Sequence, residues 1–121
     1  MREISFGPGG KVVFPTKHHG DVTLSQGKWR TICSEPERQY YRFNGEKVAT
    51  TLINPDYVRH HRSELGQFFY YKRYQTIRIS DSVEVSPGNG VYFAVIIDSV
   101  TKRVCTVYPV AKPKTGKEFK P

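Results

Sequence analysis

The sequence predicts an α+β domain in which two N-terminal helices pack on an antiparallel sheet of four strands or more. Three observations predict it. Apolar residues recur at helical spacing in the first half, as Trp29, Ile32 and Cys33 and again as Val48, Ala49, Leu52 and Ile53. The second half holds short stretches rich in aromatic and β-branched residues, the composition of strands. The two kinds of segment are separated along the chain, and helices segregated from hairpin-linked strands are the α+β pattern.

The elements follow in order. Gly7-Pro8-Gly9-Gly10 reads as a loop. Residues 11–15 read as a short strand that stops at Pro15. A turn with His18, His19 and Gly20 comes next, and residues 21–24 fit either a second short strand or the start of a helix. Ser25 is an N-cap candidate for a helix reaching about Ser34, although Gly27 weakens it. Glu35-Pro36-Glu37 ends that helix. The next spans about residues 46–53 and stops at Asn54-Pro55-Asp56, because the residue before a proline is pushed out of the helical region. Residues 57–62 read as a short strand and residues 67–79 as a long one. After the turn Pro87-Gly88-Asn89-Gly90, residues 91–97 are apolar at nearly every position, as in a central strand covered on both sides. Residues 98–103 turn into a last strand, 104–108, closed by Pro109. Residues 1–110 thus read as a single domain. Residues 111–121 read as a basic, partly ordered tail with Lys112, Lys114, Lys117 and Lys120.

A chain of 121 residues suits one domain, and 37% hydrophobic residues give it a globular composition. Nineteen Lys and Arg against eleven Asp and Glu leave a net charge of +8. A field of that sign attracts polyanions, although basic proteins can also be merely soluble. No amphipathic helix with a basic face points to a membrane surface. The first ten residues lack the apolar run of a secretory signal, and no stretch has the length of a membrane span. Cys33 and Cys105 do not make a disulfide framework and read as buried thiols. The expectation is a cytoplasmic protein.

No zinc-ligand spacing, phosphate loop or dinucleotide-binding glycine pattern is present, so neither a metal nor a nucleotide cofactor is expected. The carboxylates are scattered. Residues 68–78 carry more information. Alternation puts Phe68, Tyr70, Lys72, Tyr74, Thr76 and Arg78 on one side and Phe69, Tyr71, Arg73, Gln75 and Ile77 on the other. Cations neutralise phosphates and rings stack on unpaired bases, so Tyr70, Arg73, Tyr74 and Arg78 are candidate nucleic-acid contacts, with Arg30, Lys112 and Lys114. The plainer alternative is one core face and one solvated face. Cleaving RNA without metal needs a base for the 2′-hydroxyl, an acid for the leaving oxygen and a cation for the phosphate. His18, His19, His60, His61, Arg30, Arg59, Lys72, Arg73, Thr106 and Tyr108 are the side chains available for those roles.

Val22-Thr23-Leu24-Ser25, Trp29, Ile32, Pro36-Glu37, Thr51-Leu52, Asn54-Pro55-Asp56, Val58, Phe69-Tyr70-Tyr71-Lys72, the apolar run 91–97 and Val104-x-Thr106-Val107-Tyr108-Pro109 follow one another in a familiar order. In that order the chain resembles the barnase–EndoU–colicin–RelE-like superfamily of small metal-independent RNases, in its phage- and mobile-element-associated branch. The resemblance implies a RelE/barnase-like fold and a toxin-like endoribonuclease that cleaves tRNA or mRNA through the 2′-hydroxyl. Thr106, Tyr108 and Lys72 or Arg73 would meet the scissile phosphate; Arg59 and His60 are added on chemical grounds. An acidic antitoxin or immunity protein is the implied partner. Thr31 stands where similar proteins often carry a histidine. Either His18 or His19 replaces that group, or the chain only binds RNA. A non-catalytic nucleic-acid-binding module and a phage-type protein-binding inhibitor are the alternatives.

Overall fold

The structure, a computed structural model, describes residues 4–34, 44–60, 66–80, 82–86, 88, 90–110 and 117–118. The chain opens on a hairpin of β1 (Lys11–Thr16) and β2 (Gly20–Ser25), turned at Gly20 with φ +70°. Val12 and Phe14 pair with Leu24 and Val22, and this alternation puts one side of the hairpin in the core. Pro15 lies inside β1 without ending it, because β1 is an edge strand and a missing N–H costs no ladder bond on its open side. Helix α1 (Gln26–Ser34) follows, with Ser25 Oγ accepting the Lys28 amide at 3.0 Å as an N-cap, and it buries Trp29 and Ile32. Helix α2 (Gly45–Ile53) buries Val48, Thr51 and Leu52.

The remaining strands are β3 (Tyr57–His60), β4 (Gln67–Tyr74), β5 (Ile77–Arg78), β6 (Glu84–Val85), β7 (Val91–Asp98), β8 (Arg103–Val110) and β9 (Lys117–Glu118). The main sheet runs β1-β2-β8-β7-β4-β3-β9, and β5 and β6 form a separate pair. Every pairing in the main sheet is antiparallel except β2 with β8, which is parallel and rests on Thr23 opposite Arg103. The sheet curls: His19, in the β1–β2 turn, bonds Tyr70 of β4, three strands away from β2 in the sheet order. Helix α2 lies in the opening, against β1, β4 and β7, and closes the core around Phe93, Val95, Ile97 and Leu52.

Two helices on a four-stranded antiparallel sheet, the RelE/barnase-like arrangement expected from the sequence, is therefore not the fold. Two strands precede both helices, the sheet is mixed, and strands dominate the described residues. The difference has a physical cause. β1 and β2 form a local hairpin that any short alternating pair can make. They join the sheet only through a parallel pairing between residues far apart in sequence, which no local pattern signals. The long strand expected over 67–79 also breaks after Tyr74. Buried Asn44 holds the next segment, donating Nδ2 to Arg78 O at 2.8 Å and accepting the Arg78 amide at 2.9 Å. Among the described residues no helix is long and apolar enough to cross a membrane.

Candidate nucleic-acid interface

The parity of β4 divides its aromatic residues into two populations. Phe68 and Tyr70 face the core, and Tyr70 is 0% exposed. Tyr74, on the same side, lies within 3.0 Å of Thr51 Oγ1 and donates to Lys47 O at 3.1 Å; burial pushes its hydroxyl pKa up to about 12. Lys72 shares this side, half-buried, with Nζ 3.8 Å from Asp56 Oδ1.

The outer side is built from cross-strand pairs. Tyr57 stands opposite Tyr71, Arg59 opposite Phe69, Arg73 opposite Tyr92, Ala94 opposite Tyr108 and Ile96 opposite Thr106. Tyr71, Ala94 and Ile96 lie on this side and are buried beneath their neighbours. Around them stand Tyr57, 43% exposed, exposed Arg73, and half-buried Arg59, Phe69 and Tyr92. The Tyr57 and Tyr92 rings are 6.0 Å apart, and the Arg59 guanidinium lies over the Tyr57 ring at 5.6 Å. Burial, with the neighbouring Tyr57 second, raises the Tyr92 hydroxyl above its ordinary value. Arg59 Nε is buried without a hydrogen-bond acceptor among the described residues, which holds the guanidinium stem inside this side of the sheet. The helices bury Trp29, Ile32, Val48 and Leu52 in the core on the opposite side.

A β-bulge sets the contribution of β8 to this side. Ile97 opposes Val104 while Ile96 opposes Thr106, which leaves Cys105 as the extra residue. Val104 and Val107, three apart, can then both face the core, while Thr106 and Tyr108 lie outward. Tyr108, half-buried, also packs against the core at the strand's margin.

A second cluster forms where the β1–β2 turn meets β3 and β4. His19 stacks on Phe68 with ring centroids 3.9 Å apart, and its Nδ1 is 2.5 Å from Tyr70 Oη. The His18 amide donates to the same hydroxyl at 3.3 Å, and His60 packs on Phe68 at 4.6 Å. Lys102 Nζ donates to His19 O at 2.8 Å. Burial first, then His18, Lys102 and His60, lowers the His19 pKa to about 4, so its imidazole is neutral at pH 7 and Tyr70 can donate to it.

The candidates from sequence thus separate. His18, His19 and His60 come together. Arg59, Arg73, Thr106 and Tyr108 share the outer side, whereas Lys72 lies on the inner one. Tyr70 and Tyr74 are core-facing; Arg30 is exposed on α1, and Arg78 sits in the β5–β6 pair. His61, Lys112 and Lys114 fall outside the described residues. Among the described residues no group of three His, Cys, Asp or Glu is placed to hold a metal ion. Tyr57, Phe69 and Tyr92, which share the outer side, were not among the sequence candidates. The β4 alternation held the signal for Phe69, once a core-facing partner for Phe68 and Tyr70 was known. No protein-family model, curated protein or solved structure matches the chain.

Proposed function

We propose that the protein is a non-catalytic module that binds single-stranded RNA across the outer side of its curled sheet. One observation carries the reading: the rings of Tyr57, Phe69 and Tyr92 stand with the guanidinium groups of Arg59 and Arg73 on the side away from the helices. Rings stack on unpaired bases of any sequence and cations follow the backbone, which is how open sheets take single strands. The net charge of +8 draws the strand in. Tyrosine hydroxyls and Thr106 can meet 2′-hydroxyls, which favours RNA over DNA. Cys33 and Cys105 are not in a disulfide, which suits the reducing cytoplasm. The test is fluorescence anisotropy with a labelled RNA of about ten nucleotides. Tyr57→Ala and Tyr92→Ala are each expected to cost about 1–3 kcal/mol of binding. Tyr74→Phe, altered on the inner side, should leave affinity unchanged. Wild-type affinity in both alanine variants would overturn the reading.

The histidine cluster supports a second reading, metal-independent RNA cleavage, because three imidazoles, Tyr70 and Lys102 are close together. It ranks lower. His19 Nδ1 is already engaged by Tyr70, and Thr106 and Tyr108 lie on the other side of the sheet from Lys72. Fragments ending in 2′,3′-cyclic phosphate after incubation with RNA in EDTA, absent with His60→Ala, would put cleavage first.

A further inference from the structure

At the far end of the sheet from Tyr57, β2 and β8 part after a single pairing and leave a cleft of about 390 Å³. Lys11, Lys28 and Arg103 line it, with Thr23, Ser25, Thr101 and Asp98. None of the three cations makes an ion pair among the described residues. Asp98 is the register partner of Arg103, yet its Oδ1 accepts the amides of Val100 at 2.8 Å and Thr101 at 3.1 Å and is held in the turn.

The turn itself is fixed against the cleft. Lys102 takes a left-handed backbone conformation, φ +59°, that a side chain adopts only when its surroundings hold it there. Its carbonyl accepts the Thr23 amide at 2.8 Å and its Nζ reaches His19 O, so Thr101 and Arg103 are pinned beside β2. Two of the first helical amides are also taken: Gln26 donates to Gly10 O and Lys28 to Ser25 Oγ. The formal positive charge of the cleft is carried by its side chains.

We propose that this cleft binds a phosphomonoester dianion. Resting on the RNA-binding reading, its occupant is the terminal phosphate of the strand that crosses the outer side. Three cations against one carboxylate leave two net positive charges in one concavity. A phosphodiester inside a strand carries one negative charge; a monoester at neutral pH carries about −1.5 to −2, which matches. Charge-assisted bonds from Lys and Arg to phosphate oxygens are among the strong ones, and the fork of Arg103 suits two oxygens at once. The location fits as well. Arg103 continues the strand that carries Thr106 and Tyr108, so a chain lying over those residues ends at the cleft.

The shared chemistry has two sources, a strand end or a free small phosphate, and the experiment separates them. Amide resonances of the full chain are followed while inorganic phosphate is added at constant ionic strength. Saturable shifts confined to residues 23–28 and 101–103 are expected, and Lys28→Ala and Arg103→Ala should each weaken them about tenfold. Both side chains are exposed, and an unchanged thermal midpoint confirms that the variants stay folded. Anisotropy then compares one RNA sequence with a 5′-phosphate, a 3′-phosphate or hydroxyls at both ends. A gain of about tenfold for one phosphorylated end, abolished by Arg103→Ala, assigns the cleft to the strand end. Cleft shifts with inorganic phosphate and no end effect support the site and assign it to a free phosphate. No saturable shift at those amides with inorganic phosphate or with phosphorylated RNA overturns the site, whatever the hydroxyl-ended RNA does. Failure of hydroxyl-ended RNA to bind while phosphate still seats in the cleft overturns the outer-side reading alone.

Discussion

On the inner side of β4, Phe68, Tyr70 and Tyr74 are committed to structure, packed on core residues or bonded to α2 and the β1–β2 turn. One residue away, on the outer side, Phe69 and Arg73 stand with Tyr57, Arg59 and Tyr92, and neither helix takes these rings into its packing. The two sides have nearly the same composition. What separates their roles is which side α2 covers, and the strand's two-residue period then fixes every side chain at once.

The sharpest way to break this comparison is to remove one ring from each side. Phe93, 1% exposed on β7 and 5.5 Å from the Tyr74 ring, should cost about 3–5 kcal/mol as Phe93→Ala, through lost transfer energy and the cavity left behind. Tyr57→Ala, on a residue 43% exposed, should cost no more than about 1 kcal/mol. Urea unfolding midpoints measure both. Equal costs would mean that the outer rings are core after all.

Much of this division was readable in the sequence, and the unreadable part has a definite origin. The apolar spacing at Val48, Leu52 and Ile53 located α2, Ser25 marked the start of α1, and the unbroken apolar run located β7. The alternation of β4 separated its two sides without saying which one α2 would cover. That depends on packing between distant segments, and for an isolated strand both answers satisfy the pattern. The same blindness hid the β2–β8 pairing. It also hid the bulge at Cys105, which lets Val104 and Val107 both face inward against simple alternation. The histidines were legible as residue types only; their meeting around Phe68 and Tyr70 required the curl.

That meeting gives the inner side a response to acid. His19 is held near pKa 4 when folded, against about 6.5 when unfolded, so between those values the unfolded chain takes up a proton that the folded one refuses. Stability should therefore fall as pH drops from about 6.5 to about 4 and level off below. His19 is partly open to solvent, and screening leaves a loss on the order of 1–2 kcal/mol. His19→Gln cannot take the proton. Urea midpoints of the two proteins across that range should converge as the wild type loses this stability; parallel curves would remove His19 from the acid response.

The smallest effect separates neighbours. Lys72 and Arg73 are adjacent in sequence, and both touch Asp56, one through Nζ and the other through its backbone amide at 2.8 Å. Only Arg73 projects from the outer side, opposite Tyr92. If a strand lies there, Arg73 neutralises about one phosphate, and each phosphate contact to a single strand contributes about 0.7 to the slope of log affinity against log salt. Arg73→Ala should flatten that slope by about this amount and weaken binding alike for every RNA sequence. Lys72→Ala should leave the slope unchanged, because its ammonium is paired with Asp56. The opposite result, a slope that answers to Lys72 and ignores Arg73, would move the RNA to the inner side, where α2 and the β1–β2 turn already occupy the space.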